Sequence, residues 1–250
     1  MQRLKNVSLL SIAKETALVL GAYLVYFLVR GFTQGSQSEA VANAHKMIAT
    51  ERDLGILWEP SMQAAIISEQ TLVTIFNWIY VWGHWPFIGL VALVMFIYRP
   101  DTYRLIRNAF FISGAIGLII FMTFPVAPPR LIDNDVVDTV KLYSTAYRLL
   151  QPPSLVNQYA AVPSFHFGWN LLIGVALFRQ FHIVWVRLLA VAMPALMFLA
   201  IVLTANHFIL DAVIGGAIAL LGLGIAWLLR RAQREMWFAR INPPLALTRR

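Results

Sequence analysis

The feature that most constrains this chain is a series of six long apolar runs. They occupy roughly residues 9–30, 71–98, 107–124, 165–179, 184–204 and 208–229. A helix needs about 20 mainly apolar residues to cross the hydrocarbon core of a bilayer. Several of the runs are near this length, and the fourth is short. The pattern predicts an all-α integral membrane protein with a bundle of six transmembrane helices.

The composition supports this class. Hydrophobic residues make up 59% of the 250 residues, and the mean hydropathy is +0.68, above that of an ordinary soluble domain. No small-residue cleavage site follows the first run, so we expect a retained helix and not a removed signal. The sequence has no cysteine, which excludes disulfides, thiolate metal sites and cysteine nucleophiles.

The distribution of Lys and Arg predicts the orientation. With the amino terminus inside, thirteen of these residues lie on the inner side and six on the outer side, as the positive-inside rule requires. The outer six are Arg30, Lys46, Arg52, Arg130, Lys141 and Arg148. We therefore expect both termini in the cytoplasm. The net charge of +8 is explained by orientation and anionic lipid, so no nucleic-acid partner is expected.

Three segments outside the clear spans carry expectations of their own. Helical patterning covers residues 40–57, where charges too close together for hydrocarbon predict a helix in the outer interface. Residues 131–161 form a long outer loop, and loops of this length are often functional. Pro86 divides the run 71–98, whose first half is interfacial or lines a cavity. Its aromatic rings and His84 suit either a lipid-headgroup entry zone or an aromatic belt.

A proline-rich block follows the third run, where residues 125–130 read PVAPPR. Three prolines within five residues end a helix and stiffen the backbone into an extended path. This path would hold Arg130 at a fixed place just outside the bilayer. Because a guanidinium matches phosphate oxygens in a forked geometry, Arg130 is the first candidate for a phosphate anchor. The alternative is an interfacial arginine that contacts lipid headgroups.

A second block opens the fourth run, where residues 162–166 read VPSFH. Proline and serine directly before an apolar helix indicate a helix start with Ser164 at the N-cap. His166 is then expected in the first turn, beside free backbone N–H groups and the positive end of the helix dipole. Such a position favours an anion.

A third block opens the sixth run, where residues 206–211 read NHFILD. His207 and Asp211 are four residues apart and share one helix face. The carboxylate can therefore accept a hydrogen bond from one ring nitrogen while the other nitrogen faces a pocket. The fourth and sixth runs both start on the outer side, so His166 and His207 can share one phosphate-sized pocket there.

The three blocks, in this order, resemble the signature of the type-2 phosphatidic acid phosphatase superfamily. The motifs APPR and P-S-x-H are most similar to those of the branch that contains fungal inositol phosphorylceramide synthase. The resemblance covers roughly residues 70–230. The resemblance implies that His207 is the nucleophile that takes the phosphoryl group as a phosphohistidine. It also implies that Asp211 orients this ring and that His166 is the general acid that protonates the leaving oxygen.

This sequence departs from the superfamily's broader pattern at two places. The pattern has a Lys seven residues before the Arg of the first block, where this chain has Thr123. It also has a Ser-Arg pair shortly before the third-block histidine, where this chain has Ala200 and Ile201. Two phosphate-binding cations are therefore missing. Because the synthase-like branch varies here, the loss favours membership of that branch over inactivity.

Few phosphate-binding candidates remain. Arg130 and the amides around Ser164 supply donors, and Lys141 and Arg148 of the outer loop are additional candidates. The chain shows no dense carboxylate or histidine cluster, so we expect no metal site, and the implied mechanism needs no metal and no other cofactor.

These interpretations divide the chain into three parts. Residues 1–70 hold the first transmembrane helix and the outer interfacial helix, residues 71–230 the catalytic transmembrane core, and residues 231–250 a basic cytoplasmic tail. The sequence does not fix the oligomeric state, the lipid or the headgroup.

The leading hypothesis is an enzyme, a phosphohydrolase or headgroup transferase of the type-2 phosphatidic acid phosphatase kind. It would act at the outer face on a lipid phosphate or phospho-headgroup, with water or a lipid alcohol as acceptor. The synthase resemblance favours transfer, whereas hydrolysis is commoner across the superfamily. One alternative is a non-catalytic lipid-binding membrane protein that retains the fold, which the missing cations permit. Another is a proton channel or transporter, which no duplicated half supports.

Overall fold

The protein is all-helical in its described part, which confirms the predicted class. The computed structural model describes residues 8–33, 35–132, 135–143 and 157–241. No strand occurs within these ranges, and the residues Val126 and Ala160 form an isolated parallel bridge. The helices are α1 (Leu9–Phe32), α2 (Gln37–Asp53), α3 (Glu59–Ala64), α4 (Gln70–Trp82), α5 (Trp85–Tyr98), α6 (Pro100–Thr123), α7 (Thr139–Tyr143), α8 (Phe165–Gln180), α9 (Val184–Leu203) and α10 (Ile209–Ile241).

Four of these helices, α1, α6, α9 and α10, are long and apolar enough to cross a membrane. The pair α4 and α5 passes the same test only together and is bent by 46°, so the described residues offer four spans or up to five. Helix α8 has 16 residues, fewer than the ~20 that a bilayer core requires. The predicted count of exactly six spans is therefore not confirmed.

The bend between α4 and α5 lies where Pro86 divides the apolar run. Helix α4 ends at Trp82, and Pro86 is in the first turn of α5. A proline is tolerated there because its missing N–H would have no intrahelical partner. His84 lies in the break itself, with a buried side chain. Because of the bend, the imidazole of His84 points into the protein interior.

Helices α8 and α10 approach until their backbones touch. A Cβ added at Gly168 would collide with the Gly215 carbonyl, and one added at Gly215 would collide with the main chain of Ser164. Small residues permit such close contacts between membrane helices. The Ser164 N–H also donates to the Asp211 carbonyl at 2.9 Å. The starts of the two helices therefore lie side by side.

Helix α2 packs on the protein along one face. It buries Ala40, Ala44 and Met47 in a cluster with Val126 and Phe208. The predicted second helix therefore exists, and its location in the outer interface stays a prediction.

Helix α1 packs most loosely, because none of its residues is buried. Its amino-terminal half is tied to α6 by Glu15, whose two carboxylate oxygens accept from Arg107 at 2.6 and 2.7 Å. Closer to the carboxyl end of α1, the rings of Tyr26 and Trp169 lie 5.6 Å apart. An apolar groove of about 630 Å³ separates α1 from α5 and α6.

Candidate functional site

Three histidines from distant parts of the chain meet at one small cavity. The ring centroids of His166 and His207 are 5.6 Å apart, and those of His84 and His166 are 4.3 Å apart. Arg30 lines the same cavity. The predicted meeting of His166 and His207 is thus present in the structure. The cavity measures about 30 Å³, room for a water-sized group.

His207 is held by its Nδ1 atom. This atom lies 2.9 Å from the Ala161 carbonyl oxygen and 3.3 Å from Oδ2 of Asp211. Both neighbours are acceptors, so Nδ1 must carry a hydrogen, and in the neutral form of the ring the lone pair is on Nε2. The sequence predicted the contact with Asp211. It did not predict the shorter one with a main-chain carbonyl.

The turn between α9 and α10 fixes the backbone of His207. The N–H groups of Asn206 and His207 donate to the Ile201 carbonyl at 3.0 and 3.1 Å. Ala205 has a φ of 56°, in the left-handed region that residues with a side chain rarely adopt. Strained residues of this kind cluster at functional sites. The backbone of His207, the predicted nucleophile, is therefore fixed by main-chain hydrogen bonds in a tight turn.

Three buried carboxyl groups cap the start of α10. Oε1 of Glu59 accepts from the Ile209 N–H, and Oε1 of Glu51 accepts from the Leu210 N–H, both at 2.8 Å. Oδ2 of Asp211 accepts from the Phe208 N–H at 2.9 Å. These bonds satisfy N–H groups that lack intrahelical partners.

Glu51 belongs to the charged stretch that suggested an interfacial helix, yet its side chain is fully buried. Burial raises the pKa of the Glu51 carboxyl from its usual 4.5 to about 9, with the adjacent Glu59 carboxyl as the second cause. The carboxyl of Glu51 therefore keeps its proton at neutral pH. Sequence reasoning assigned neither residue to the site.

His166 lies in the first turn of α8, as predicted, and is held by ring contacts. Its imidazole stacks on Tyr80 with centroids 4.7 Å apart. Ser164 occupies the N-cap position, as predicted, and its side chain makes no capping bond. The Ser164 Oγ is buried and has no hydrogen-bond partner among the described residues.

His84 is the site histidine that sequence reasoning placed among interfacial residues. Nδ2 of Asn170 donates to the His166 carbonyl at 2.8 Å and lies 3.3 Å from Nδ1 of His84. Because the Asn170 atom is a donor, Nδ1 of His84 accepts, and the hydrogen of the neutral ring sits on Nε2. The sequence feature that could have pointed to His84 is its position two residues before Pro86, which interrupts an apolar run.

A comparison with known protein families identifies the superfamily of this chain. A model of the PAP2 superfamily, the type-2 phosphatidic acid phosphatases, matches residues 45–225, more than half of the chain. The chain belongs to the PAP2 superfamily. Members of this superfamily are phosphohydrolases, which supports an enzyme of the phosphatase or phosphotransferase type. The match confirms the predicted superfamily and leaves the synthase-like branch unconfirmed. No curated protein and no solved structure matched the chain.

Arg130, in the first PAP2 block, lies in a short 3₁₀ turn, Pro129–Leu131. Its N–H donates to the Ala205 carbonyl at 2.9 Å, which ties the block to the turn that carries His207. Its Nε is 3.4 Å from Oδ2 of Asp138. The predicted phosphate anchor is therefore attached to the site through its main chain and pairs with a carboxylate through its side chain.

The two additional candidates, Lys141 and Arg148, are not brought into the cavity by the described part of the structure. Lys141 is on α7 with an exposed side chain, and its N–H donates to Oδ1 of Asp138 at 2.9 Å. Arg148 lies outside the described residues. Within the described ranges, no group of three or more His, Cys, Asp or Glu side chains is suited to hold a metal ion.

Arg30, which lies outside the PAP2 match, is the cation that sequence reasoning missed. It is in the last turn of α1, and its guanidinium carbon lies 5.5 Å from the centroid of the Phe121 ring. Its Nε is buried without a hydrogen-bond partner among the described residues. The positive-inside count placed Arg30 on the outer side, but nothing in the sequence distinguished it from other interfacial arginines.

Proposed function

We propose that this PAP2 protein moves a phosphoryl group or phospho-headgroup from a lipid to water or a lipid alcohol through a phosphohistidine on His207. The observation that carries the proposal is the double acceptor contact at Nδ1 of His207, beside a second imidazole. These contacts leave the Nε2 lone pair as a nucleophile in a buried, pre-oriented ring. Membership of the superfamily supports the reaction class.

In the first half of the reaction, Nε2 of His207 attacks phosphorus, and the bond from phosphorus to the leaving oxygen breaks. His166 gives its proton to that oxygen, so a neutral alcohol departs. In the second half, the acceptor oxygen attacks phosphorus, the phosphorus–nitrogen bond breaks, and His166 takes the acceptor's proton. Hydrolysis and transfer differ only in which acceptor arrives.

Negative charge on the transferred group needs donors in the cavity. Ser164 lies in the chain between the cavity-lining residues Pro163 and Phe165, and its unpartnered Oγ can donate a hydrogen bond. The amides at the start of α8 add partial positive charge. Arg130 adds a positive charge on the segment attached to the His207 turn. Lys141 and Arg148 remain candidates for the headgroup side of a bound substrate.

The proposal places the reaction at the outer face. If α8 is a short sixth span, α8 and α10 both begin on the side opposite the amino terminus, and the distribution of Lys and Arg assigns that side to the exterior or lumen. The resemblance to the synthase-like branch favours transfer to a lipid alcohol over hydrolysis.

The test is a phosphoenzyme assay in detergent with a lipid carrying a labelled phosphate. Wild-type protein should acquire acid-labile label without added metal, and His207→Ala should acquire none. Full turnover by His207→Ala would contradict the mechanism. Mass spectrometry of the products, with and without a lipid alcohol, then separates transfer from hydrolysis.

A further inference from the structure

We propose that Arg30 binds the phosphate of the substrate, so that α1 supplies a cation which the PAP2 blocks of this chain lack. The proposal rests on the proposed function. It concerns a residue outside the segment 45–225 that the family model matches. It therefore assigns to α1 a part in the reaction beyond anchoring the protein in the membrane.

The first argument is the position of Arg30. Its side chain lines the cavity together with His84, His166 and His207. The chain has Thr123, Ala200 and Ile201 where the broader pattern has a Lys and a Ser-Arg pair. A planar guanidinium offers several N–H donors in a fixed fork that matches phosphate oxygens. Arg30 thus supplies a guanidinium, in place of the missing Lys and Arg, at the cavity where the transferred phosphate would bind.

The second argument is the missing counter-charge. Among the described residues, Arg107 pairs with Glu15, Arg130 with Asp138 and Arg230 with Asp101. No carboxylate within the described ranges lies at ion-pair distance from Arg30, and its buried Nε has no hydrogen-bond partner there. A partly buried charge without a partner is costly. An anionic ligand in the cavity would remove that cost.

The third argument is that Arg30 is held in place although α1 is loosely packed. The guanidinium lies over the Phe121 ring, which restricts its plane. The Thr33 hydroxyl donates to the Arg30 carbonyl at 3.1 Å, and Nδ2 of Asn157 donates to the Thr33 carbonyl at 3.0 Å. The end of α1 is therefore tied to the segment that leads into the second PAP2 block. A phosphate-binding residue needs this kind of fixed position.

The test compares Arg30→Ala and Arg30→Lys with Arg99→Ala. Arg99 is a matched control because its guanidinium also lies over an aromatic ring, at 5.7 Å from the Phe181 centroid, and it does not line the cavity. The readouts are kcat/KM on a short-chain phosphatidic acid in detergent and the inhibition constant of inorganic phosphate.

Arg30→Ala should lower kcat/KM by about 10- to 100-fold, the loss expected for one charged donor, and should weaken inhibition by phosphate. Arg30→Lys should recover part of both losses, and Arg99→Ala should stay within about twofold of wild type. If Arg30→Ala does not fold, weaker phosphate inhibition of folded Arg30→Lys supports the proposal, because Lys keeps the charge and loses the fork.

Values for the Arg30 variants equal to those of Arg99→Ala would overturn the proposal and leave Arg30 as an interfacial arginine. His207→Ala separates this outcome from failure of the proposed function. If His207→Ala is inactive, only the role of Arg30 is lost. If His207→Ala is fully active, the phosphohistidine mechanism itself is wrong.

Discussion

The starts of α8 and α10 lie side by side, yet they hold their histidines in opposite ways. At α10, Glu51, Glu59 and Asp211 accept from successive main-chain N–H groups, and a carbonyl and a carboxylate flank Nδ1 of His207. At α8, the N-cap serine makes no capping bond, and ring contacts position His166.

This difference explains why two neighbouring imidazoles suit different tasks. Acceptors on both sides of Nδ1 lock the tautomer of the His207 ring and raise the electron density at Nε2, which a nucleophile requires. Contacts between ring faces hold the plane of His166 without fixing which nitrogen carries the proton. A general acid and base must exchange that proton, so the looser attachment fits His166.

Among the variants that leave His207 in place, His166→Ala should have the largest effect. Loss of the proton donor should slow phosphoenzyme formation by about 10²- to 10⁴-fold for a lipid with a poor leaving group, the usual contribution of general acid catalysis. An activated aryl phosphate needs no protonation and should lose far less. Equal losses for both substrates, measured by rapid quench of the labelled enzyme, would remove the distinction between the two histidines.

Asp211→Asn should have the next largest effect. Asparagine can still accept from the Phe208 N–H but does not stabilise positive charge on the ring of His207. We expect a loss of about 10- to 100-fold in kcat, smaller than the ~10⁴-fold known for a triad histidine that loses its aspartate, because the Ala161 carbonyl still accepts from Nδ1. Steady-state kinetics at saturating substrate measure this loss. A loss as large as that of His207→Ala would show that the carbonyl alone does not hold the tautomer.

Glu51→Gln tests the carboxyl caps of α10 through the pH dependence of stability. The folded state binds a proton on Glu51 up to about pH 9, whereas the unfolded chain releases it near 4.5, so the free energy of unfolding falls as pH rises between these values. One proton gives a slope of at most about 1.4 kcal/mol per pH unit. Glutamine cannot release a proton, so the slope should be smaller in Glu51→Gln.

Thermal unfolding in detergent at several pH values measures this slope. Glu39→Gln is the matched control, because Glu39 is an exposed glutamate on the same helix. Equal slopes for wild type, Glu51→Gln and Glu39→Gln would contradict a proton retained on Glu51 in the folded state.

Ser164→Ala should have the smallest effect. If the Ser164 hydroxyl donates to the substrate phosphate, its loss should lower kcat/KM by about two- to tenfold, as for one neutral hydrogen bond. Stability should change little, because the hydroxyl makes no capping bond in the structure. A marked fall in the unfolding temperature would instead indicate that Ser164 caps α8.

The sequence predicted those parts of the site that depend on local pattern. Proline and serine before an apolar run placed His166 in a first turn, and the spacing of four residues placed Asp211 beside His207. Counting spans put both helix starts on one side, although the described part of the structure offers four or up to five spans because α8 is short. The segment that the family model matches, residues 45–225, contains the three blocks that carried these expectations.

The parts that the sequence did not predict come from elements far away in the chain. Arg30, His84, Glu51 and Glu59 reach the site through tertiary packing of α1, the α4–α5 bend, α2 and α3. In the sequence each is a polar residue beside apolar ones, a pattern that interfacial residues share. Only the fold shows which of them are buried beside the histidines.

The carbonyl that accepts the hydrogen bond from Nδ1 of His207 belongs to Ala161. Main-chain hydrogen bonds fix the position of this residue. The Ala161 N–H donates to the Val126 carbonyl at 3.2 Å, and the Val126 N–H donates to the Tyr159 carbonyl at 2.7 Å. Alanine scanning cannot detect this contact, because no side chain makes it. The contact depends on the path of the backbone, so insertion or deletion of one residue between 159 and 161 should displace the imidazole.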